Sequence, residues 1–138
     1  MLHTMGLNPD IYWSDYKINV RELLAEFALP NGRMLLANSN GQPVGCAGLR
    51  RLSSERGEIK QVYVRPAFRG RGLGKALIEA IVEAARQIGY RTLRLETASY
   101  MKDAQALYQS LGFHLIKPYR DVPEAIKHLE VFMELNLK

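Results

Sequence analysis

Residues 69–75 read Arg-Gly-Arg-Gly-Leu-Gly-Lys, so three glycines in five positions stand between basic side chains. A predicted strand precedes this loop and a predicted helix follows it. Glycine lets a backbone approach a ligand closely and adopt positive φ. The first turn of a helix also presents N–H groups without intrahelical partners, at the positive end of the helix dipole. The loop therefore predicts a phosphate site, with Arg69, Arg71 and Lys75 as its cations.

Two common phosphate-binding loops do not match this segment. A Walker loop requires Ser or Thr after Gly-Lys, whereas Ala76 follows Lys75, so the hydroxyl that would bind magnesium is missing. A dinucleotide-binding loop follows the first strand directly, whereas three predicted strands precede Gly70 and the glycine spacing is too tight. Taken alone, the loop is equally well explained as a helix N-terminus made of turn glycines.

The positive charge of the chain is concentrated near this loop. The 138 residues include 19 Lys and Arg and 14 Asp and Glu, which gives a formal net charge of +5. Residues 50–75 hold eight of the basic and two of the acidic side chains, so they carry +6 and the rest carries −1. One basic segment on a near-neutral body favours a local anion site. The rival hypothesis of a nucleic-acid binder, suggested by the high pI, is therefore disfavoured.

Composition excludes several other classes of protein. Apolar residues make up 47% and charged residues 24%, which indicates one globular domain over residues 1–138. No apolar run approaches the about 20 residues of a membrane span, and the N-terminal residues do not resemble a signal peptide. Cys46 is the only cysteine, so we expect a buried thiol, no metal and a reducing cytoplasm.

The hydrophobic pattern predicts a mixed α/β fold around one sheet, which the helices must cover. Asn40-Gly41 predicts a tight hairpin turn because both turn residues must reach positive φ. Gly89 is expected to end the long helix after the glycine loop. Predicted helices cover 14–27, 73–88 and 103–111, and predicted strands cover 34–37, 44–50, 58–64, 92–97, 113–116 and 129–137.

Two segments resemble motifs of the GNAT superfamily of N-acetyltransferases. Residues 69–74 match the Arg/Gln-x-x-Gly-x-Gly/Ala loop of that family, and the five residues before them are also similar. Residues 106–113 match its Leu-Tyr-x-x-x-Gly-Phe signature. The segments occur in the expected order, about 35 residues apart, and the resemblance extends from about Met34 to the C-terminus.

The resemblance implies a GNAT-like fold, with a mostly antiparallel mixed sheet that splays at the cofactor cleft. It also implies acetyl-CoA as co-substrate. The pyrophosphate would bind the glycine loop, the pantetheine would follow strand 58–64, and an unassigned Arg or Lys would meet the 3′-phosphate. The implied cofactor-binding residues are Val62, Tyr63, Val64, Arg69, Gly70, Arg71, Gly72, Leu73, Gly74, Lys75 and Tyr108.

Direct attack of an amine on a thioester needs a neutral amine, a stabilised oxyanion and a proton for the leaving thiolate. By resemblance, Tyr108 is the acid and the backbone N–H of Val62 stabilises the oxyanion. A phenol with a reference pKa of about 10 keeps its proton at neutral pH. Without the motif, a core aromatic would be the better interpretation of Tyr108, because it shares a helical face with Leu107 and Leu111.

Two carboxylates are candidates for the catalytic base. Glu58 begins the strand expected to carry pantetheine, where many family members place a carboxylate. Glu96 alternates with two leucines on strand 92–97, on the face opposite to them. Each could act as the base, bind the substrate ammonium, or be a solvated glutamate at a strand end. Thr97 and Tyr119 are candidates for contacts with the substrate.

The chain departs from the family pattern in two places. Met101 stands where many members carry asparagine, and only about 30 residues precede Met34. We therefore expect a shortened N-terminal region that lacks the first strand or part of the acceptor-side helices. These elements shape the acceptor site, so the resemblance says less about the acceptor than about the cofactor.

Together these observations predict an acetyl-CoA-dependent N-acetyltransferase that acts on a primary amine of a small-molecule or amino-acid-like acceptor. A protein acceptor would use the same chemistry. The alternative is a CoA-binding regulatory or interaction module without catalysis. Neither nucleic acid nor a membrane is an expected partner, and the resemblance allows a homodimer.

Overall fold

The computed structural model describes residues 2–4, 27–28 and 30–138. Seven strands lie in these ranges: β1 (Leu2–Thr4), β2 (Arg33–Ser39), β3 (Gln42–Arg51), β4 (Arg56–Val64), β5 (Thr92–Ala98), β6 (His114–Ile116) and β7 (Glu130–Asn136). The helices are α1 (Leu73–Ile88) and α2 (Lys102–Ser110), with 3₁₀ turns at Pro66–Phe68 and Glu124–Leu129. From β2 onward, the predicted strands and helices match these bounds within two residues.

All seven strands belong to one sheet, in the order β1-β2-β3-β4-β5-β7-β6. Neighbouring strands are antiparallel except β4 and β5, which are parallel because α1 carries the chain back across the sheet between them. This confirms the expected mixed, mostly antiparallel sheet. None of the described helices has the length and apolar character needed to cross a membrane.

One face of the sheet packs against both described helices. Leu77, Ile78 and Ile81 form the apolar stripe of α1 and are fully buried. Residues of the central strands lie in the same cluster, among them Leu49 and Leu93. The core therefore holds β4, α1 and β5 in fixed relation, and these elements carry the predicted cofactor loop.

Local turn signals place the ends of these elements. Asn40 and Gly41 have φ of 52° and 80°, which confirms the predicted hairpin turn between β2 and β3. Gly89 ends α1 at φ 104°, and its N–H donates to the carbonyls of Ala85 and Arg86. Both predictions rest on neighbours in sequence, which is why they are accurate.

Of the two alternatives predicted for the N-terminal region, the structure excludes the loss of the first strand. A first strand is present, because β1 pairs antiparallel with β2. The predicted helix over 14–27 lies outside the described residues except for Phe27. That side chain is buried, and its ring lies so close to Gly48 on β3 that an added Cβ would meet it at 2.8 Å.

Candidate active site

The sheet parts between β4 and β5. The two strands have nine and seven residues, but their pairing stops after three register positions, at Glu58↔Arg94. On the other edge of β4, the pairing with β3 shifts so that Gln61 and Val62 have no partner position, and Gln61 adopts φ 57°. A bulge of this kind bends its strand. It therefore directs β4 away from β5 and produces the expected splay.

Cys46 supports this bulge from β3. Its side chain is buried, which confirms the prediction for the thiol, and its Sγ donates to the carbonyl oxygen of Gln61 at 3.1 Å. The contact satisfies a carbonyl group at the irregular position of the strand. Cys46 thus has a structural contact at the splay point.

A cleft of about 1030 Å³ lies along this gap. Its wall includes Ile59 and Leu95, which face the helix-covered core, and also Lys60 and Glu96, which alternate with them and face the opposite side. The cleft therefore runs through the sheet. One end lies at the glycine loop and α1, and the other lies at the start of β7.

The glycine loop forms the first end of the cleft. Gly70 and Gly72 have φ of 77° and 79°, and a Cβ added at either would meet no atom within 4 Å. Gly72 precedes α1 without a side-chain cap, and the first turn contains no acidic residue. The first intrahelical bond runs from Ala76 N–H to Gly72, so the preceding amides have no partner within the helix. Open space and uncapped amides fit a phosphate group.

The basic residues of the loop take different positions. Arg69 lies in the cleft wall, where its Nε donates to the carbonyl of Val64 at 2.9 Å and its guanidinium lies 5.6 Å from the Tyr63 ring centroid. Arg71 packs against the Phe68 ring at 5.2 Å. Cations at a helix N-terminus are unfavourable unless an anion compensates them. Their presence there supports an anionic ligand.

Tyr108 projects from α2 to the middle of the cleft. It is 7% exposed, and its ring packs edge-on against Phe113 with centroids 5.7 Å apart. Burial raises the pKa of its hydroxyl above the usual value. Among the described residues, this hydroxyl has no hydrogen-bond partner. Tyr108 can therefore donate a proton to a group in the cleft.

Glu58 and Tyr119 lie together beside the cleft and do not form its wall. Glu58 is 3% exposed, and its Oε1 accepts from Arg50 Nε at 2.7 Å. Its Oε2 accepts from the Tyr119 hydroxyl at 2.5 Å. Burial and the bond to this carboxylate raise the pKa of Tyr119 well above its usual range. Both oxygens of Glu58 are therefore occupied by donors.

Glu96 lies in the wall at the second end of the cleft. Arg120 binds it with two hydrogen bonds, from Nε to Oε1 at 2.7 Å and from Nη2 to Oε2. The bond to Arg120 lowers the pKa of Glu96, while the neighbouring carboxyl of Glu96 raises the pKa of Glu130. Arg120 and Glu130 both line the cleft. This end thus presents Glu96 paired with Arg120, with the carboxyl of Glu130 beside Glu96.

The structure brings most of the sequence-predicted residues together. Those in the cleft wall are Val62, Tyr63, Val64, Arg69, Gly70, Gly72, Leu73, Gly74, Glu96, Thr97 and Tyr108. Those outside the wall are Glu58, Arg71, Lys75 and Tyr119. Sequence reasoning missed Arg120 and Glu130. Arg120 directly follows the predicted Tyr119, whereas Glu130 joins the cleft only through the pairing of β7 with β5.

A mixed sheet that splays beside a glycine loop, with a tyrosine buried at the gap, defines the architecture of an acyltransferase of the GNAT type. The sequence also matches the family model described as "Acetyltransferase (GNAT) family" over residues 6–113. The chain belongs to the GNAT acetyltransferase family and is an N-acetyltransferase.

Individual relatives agree with this assignment. The uncharacterized N-acetyltransferase YjgM of Escherichia coli is 33% identical over 114 residues, which cover 80% of this chain and 68% of the relative. The IAA acetyltransferase of Azospirillum brasilense is 36% identical over 116 residues, or 83% and 74% of the two chains. The structure of yncA from Salmonella typhimurium, solved with its cofactor acetyl-CoA, superposes with a TM-score of 0.79 over 100% of this chain and 94% of its own. At 24% identity, that superposition shows the fold alone.

Proposed function

We propose that this enzyme transfers the acetyl group of acetyl-CoA to a primary amine of a small-molecule or amino-acid-like acceptor, by direct attack of the amine on the thioester. One observation carries the proposal: a single cleft connects the phosphate-type loop at α1 with Tyr108 and the Glu96 group. The acetyl-CoA bound to the Salmonella typhimurium protein and the name of the Azospirillum brasilense enzyme support it.

In this proposal the glycine loop and β4 hold the cofactor. The open space at Gly70 and Gly72 admits the pyrophosphate, and Arg69 supplies positive charge in the cleft wall. Arg71 and Lys75 contribute to the same field from outside the wall. The pantetheine lies along residues 62–64, where β4 has left β5 and its inner edge is available for β-like hydrogen bonds.

Tyr108 acts as the acid. Its hydroxyl is protonated at neutral pH, since its pKa is ordinarily about 10 and burial raises it further, and it donates that proton to the leaving thiolate. The N–H of Val62 is the proposed donor to the oxyanion. Val62 lies in the cleft wall on the part of β4 that no longer pairs with β5, which supports this role.

We assign the base to the carboxylates in the cleft wall instead of Glu58. Both oxygens of Glu58 already accept hydrogen bonds, so its lone pairs are less available to a substrate proton. A base works best when its pKa approaches the working pH. Among the carboxylates in the wall, the pKa of Glu130 is raised and that of Glu96 is lowered, so Glu130 is a stronger proton acceptor than Glu96. Glu96 contributes by binding Arg120 and by raising the pKa of Glu130.

Cofactor binding is tested by thermal unfolding with and without acetyl-CoA. Ligand bound to the folded state raises the melting temperature by mass action, so we expect a clear rise with micromolar acetyl-CoA. The double variant Arg69→Ala/Arg71→Ala should lose most of this rise. Arg51→Ala/Arg56→Ala removes the same charge from exposed positions outside the cleft and should keep it. Equal rises in both variants would contradict the proposed site.

Turnover is tested by following thiol release with a panel of amines. Tyr108→Phe keeps the packing against Phe113 and removes the proton donor, so kcat should fall about 10²- to 10⁴-fold with little change in CoA affinity. Acetyl-CoA binding without turnover of any amine would favour a CoA-binding regulatory module. A cytoplasmic location and a homodimer remain predictions of the sequence.

A further inference from the structure

Arg120 has hydrogen-bonding capacity that its contacts with the protein do not use. A guanidinium carries five N–H donors. Nε and Nη2 donate to Glu96, and Nη1 donates to the carbonyl oxygen of Asp121 at 3.0 Å. Among the described residues, two donors therefore remain, one on each terminal nitrogen. A carboxylate can accept hydrogen bonds from both terminal nitrogens of a guanidinium at once.

The side chain of Arg120 is also held in place. Glu96 fixes it from one side, and its guanidinium lies 5.9 Å from the ring centroid of Phe132. The preceding residue, Tyr119, anchors the same connection by its hydrogen bond to Glu58. An arginine with a fixed orientation that still faces a cleft is prepared to bind a planar anion.

The charges at this end of the cleft are balanced. Lys60, Arg120, Glu96 and Glu130 lie in the wall at this end, and with Arg69 and Asp103, which also line the cleft, the wall holds three cations and three carboxylates. Their formal charges cancel, so the site does not favour a polyamine or a polyanion over other ligands. A ligand that carries one ammonium and one carboxylate matches such a site best.

We propose that Arg120 binds the carboxylate of the acceptor, so that the acceptor is an α-amino acid whose amino group lies at Glu130. This inference rests on the proposed function and adds the acceptor class to it. Acetylation forms the amide N–C bond and breaks the C–S bond. The ammonium loses its first proton to Glu130, directly or through water, and Tyr108 protonates the thiolate. The second proton on nitrogen leaves as the tetrahedral adduct collapses and returns, through water, to the Tyr108 oxygen. Glu130 then releases its proton to solvent, so one proton is released per turnover.

The test compares acceptors that differ only in the carboxylate: leucine with isoamylamine, phenylalanine with phenethylamine, and lysine with cadaverine. Because hydrogen bonds to charged groups are among the stronger ones, we expect kcat/KM to be about 10- to 100-fold higher for the preferred amino acid than for its amine. Methyl esters should behave like the amines. Arg120→Gln should remove the preference through KM, and Arg120→Lys should keep part of it.

The matched control is Arg91→Gln. Arg91 also pairs with a glutamate, Glu55, and is 57% exposed compared with 47% for Arg120, but it does not line the cleft. The control should retain the preference for the amino acid. Calorimetric titration of CoA-saturated protein with phenylalanine or phenethylamine measures the same preference without turnover, and keeps the test decisive for a poorly active variant.

The outcomes separate the two proposals. Equal use of amino acids and amines, or an equal loss for both in Arg120→Gln, would overturn the role of Arg120 and leave the acetyltransferase activity intact. In the opposite outcome, no amine is turned over, but calorimetry shows tighter binding of phenylalanine than of phenethylamine, and Arg120→Gln removes this difference. That result would overturn the proposed activity and support the carboxylate site.

Discussion

The hydroxyl of Tyr119 donates a 2.5 Å hydrogen bond to Oε2 of Glu58, across 61 residues of sequence. This contact joins the connection between β6 and β7 to the buried start of β4. Arg50 occupies the other oxygen, so the carboxylate is paired on both sides. Arg120 follows Tyr119 directly in the chain. The contact therefore fixes both a buried charge and the arginine at the cleft.

Tyr119→Phe should destabilise the protein by about 1–3 kcal/mol, because it leaves a buried carboxylate oxygen without its donor. The ring remains and keeps its edge-on contact with Phe132. Urea denaturation measures the loss. Tyr100→Phe, at a residue that is 74% exposed, is the control and should change stability by less than about 0.5 kcal/mol. Equal stability of Tyr119→Phe and the wild type would show that the bond is unimportant.

Much of the fold could be predicted because its signals are local. The apolar stripe of α1, the glycine after it and the Asn40-Gly41 turn each depend on residues a few positions apart. The glycine loop could be predicted for the same reason: positive φ and an uncapped helix start are properties of one short segment. These signals also place Tyr108 on the core face of α2.

The second end of the cleft, at Glu96 and Arg120, could not be predicted in the same way. Glu130 reaches Glu96 because β7 pairs with β5 in the register Glu96↔Phe132, which brings residues 34 apart in the chain onto one face. Arg120 comes from an irregular connection without a periodic pattern. For Glu58 the sequence left three roles open: a base, a ligand of the substrate ammonium or a solvated strand end. Its paired and buried position could not be predicted, because it depends on Arg50 and Tyr119 from two other parts of the chain.

Gly72→Ala should weaken CoA binding far more than Gly41→Ala. Both glycines have φ close to 80° and open space at the position of a Cβ. Each substitution should therefore cost a similar backbone strain, about 1–2 kcal/mol in stability. Only Gly72 lies in the cleft, so only its variant should lose CoA affinity in a calorimetric titration. An equal effect of both variants on affinity would argue against phosphate binding at the loop.

The pH profile of kcat should have no alkaline decline between pH 8 and about 10. Burial raises the pKa of Tyr108 above its ordinary value of about 10, so the acid keeps its proton throughout this interval. Thiol release under saturating substrates measures the profile. A decline that begins near pH 8 would indicate another proton donor. Tyr108→Phe serves as the control. Without this hydroxyl, its residual rate should show no change with pH that is caused by titration of Tyr108.

Glu96→Gln and Glu130→Gln should change stability in opposite directions at neutral pH. The pKa of Glu96 is lowered in the folded state by Arg120, so its carboxylate stabilises the fold above its ordinary pKa and loses this effect as pH falls through the lowered value. Glu96→Gln should therefore be less stable than the wild type at pH 7.

The pKa of Glu130 is raised by Glu96, so its stabilising effect exists at low pH and disappears as pH rises. Glu130→Gln should be more stable than the wild type at pH 7. Solvent screens both groups, so each variant should differ from the wild type by about 1 kcal/mol or less in the free energy of unfolding. Urea denaturation at pH 7 and at acid pH measures these differences, and both should be smaller at acid pH. Differences of the same sign would show that the two carboxyls do not interact in this way.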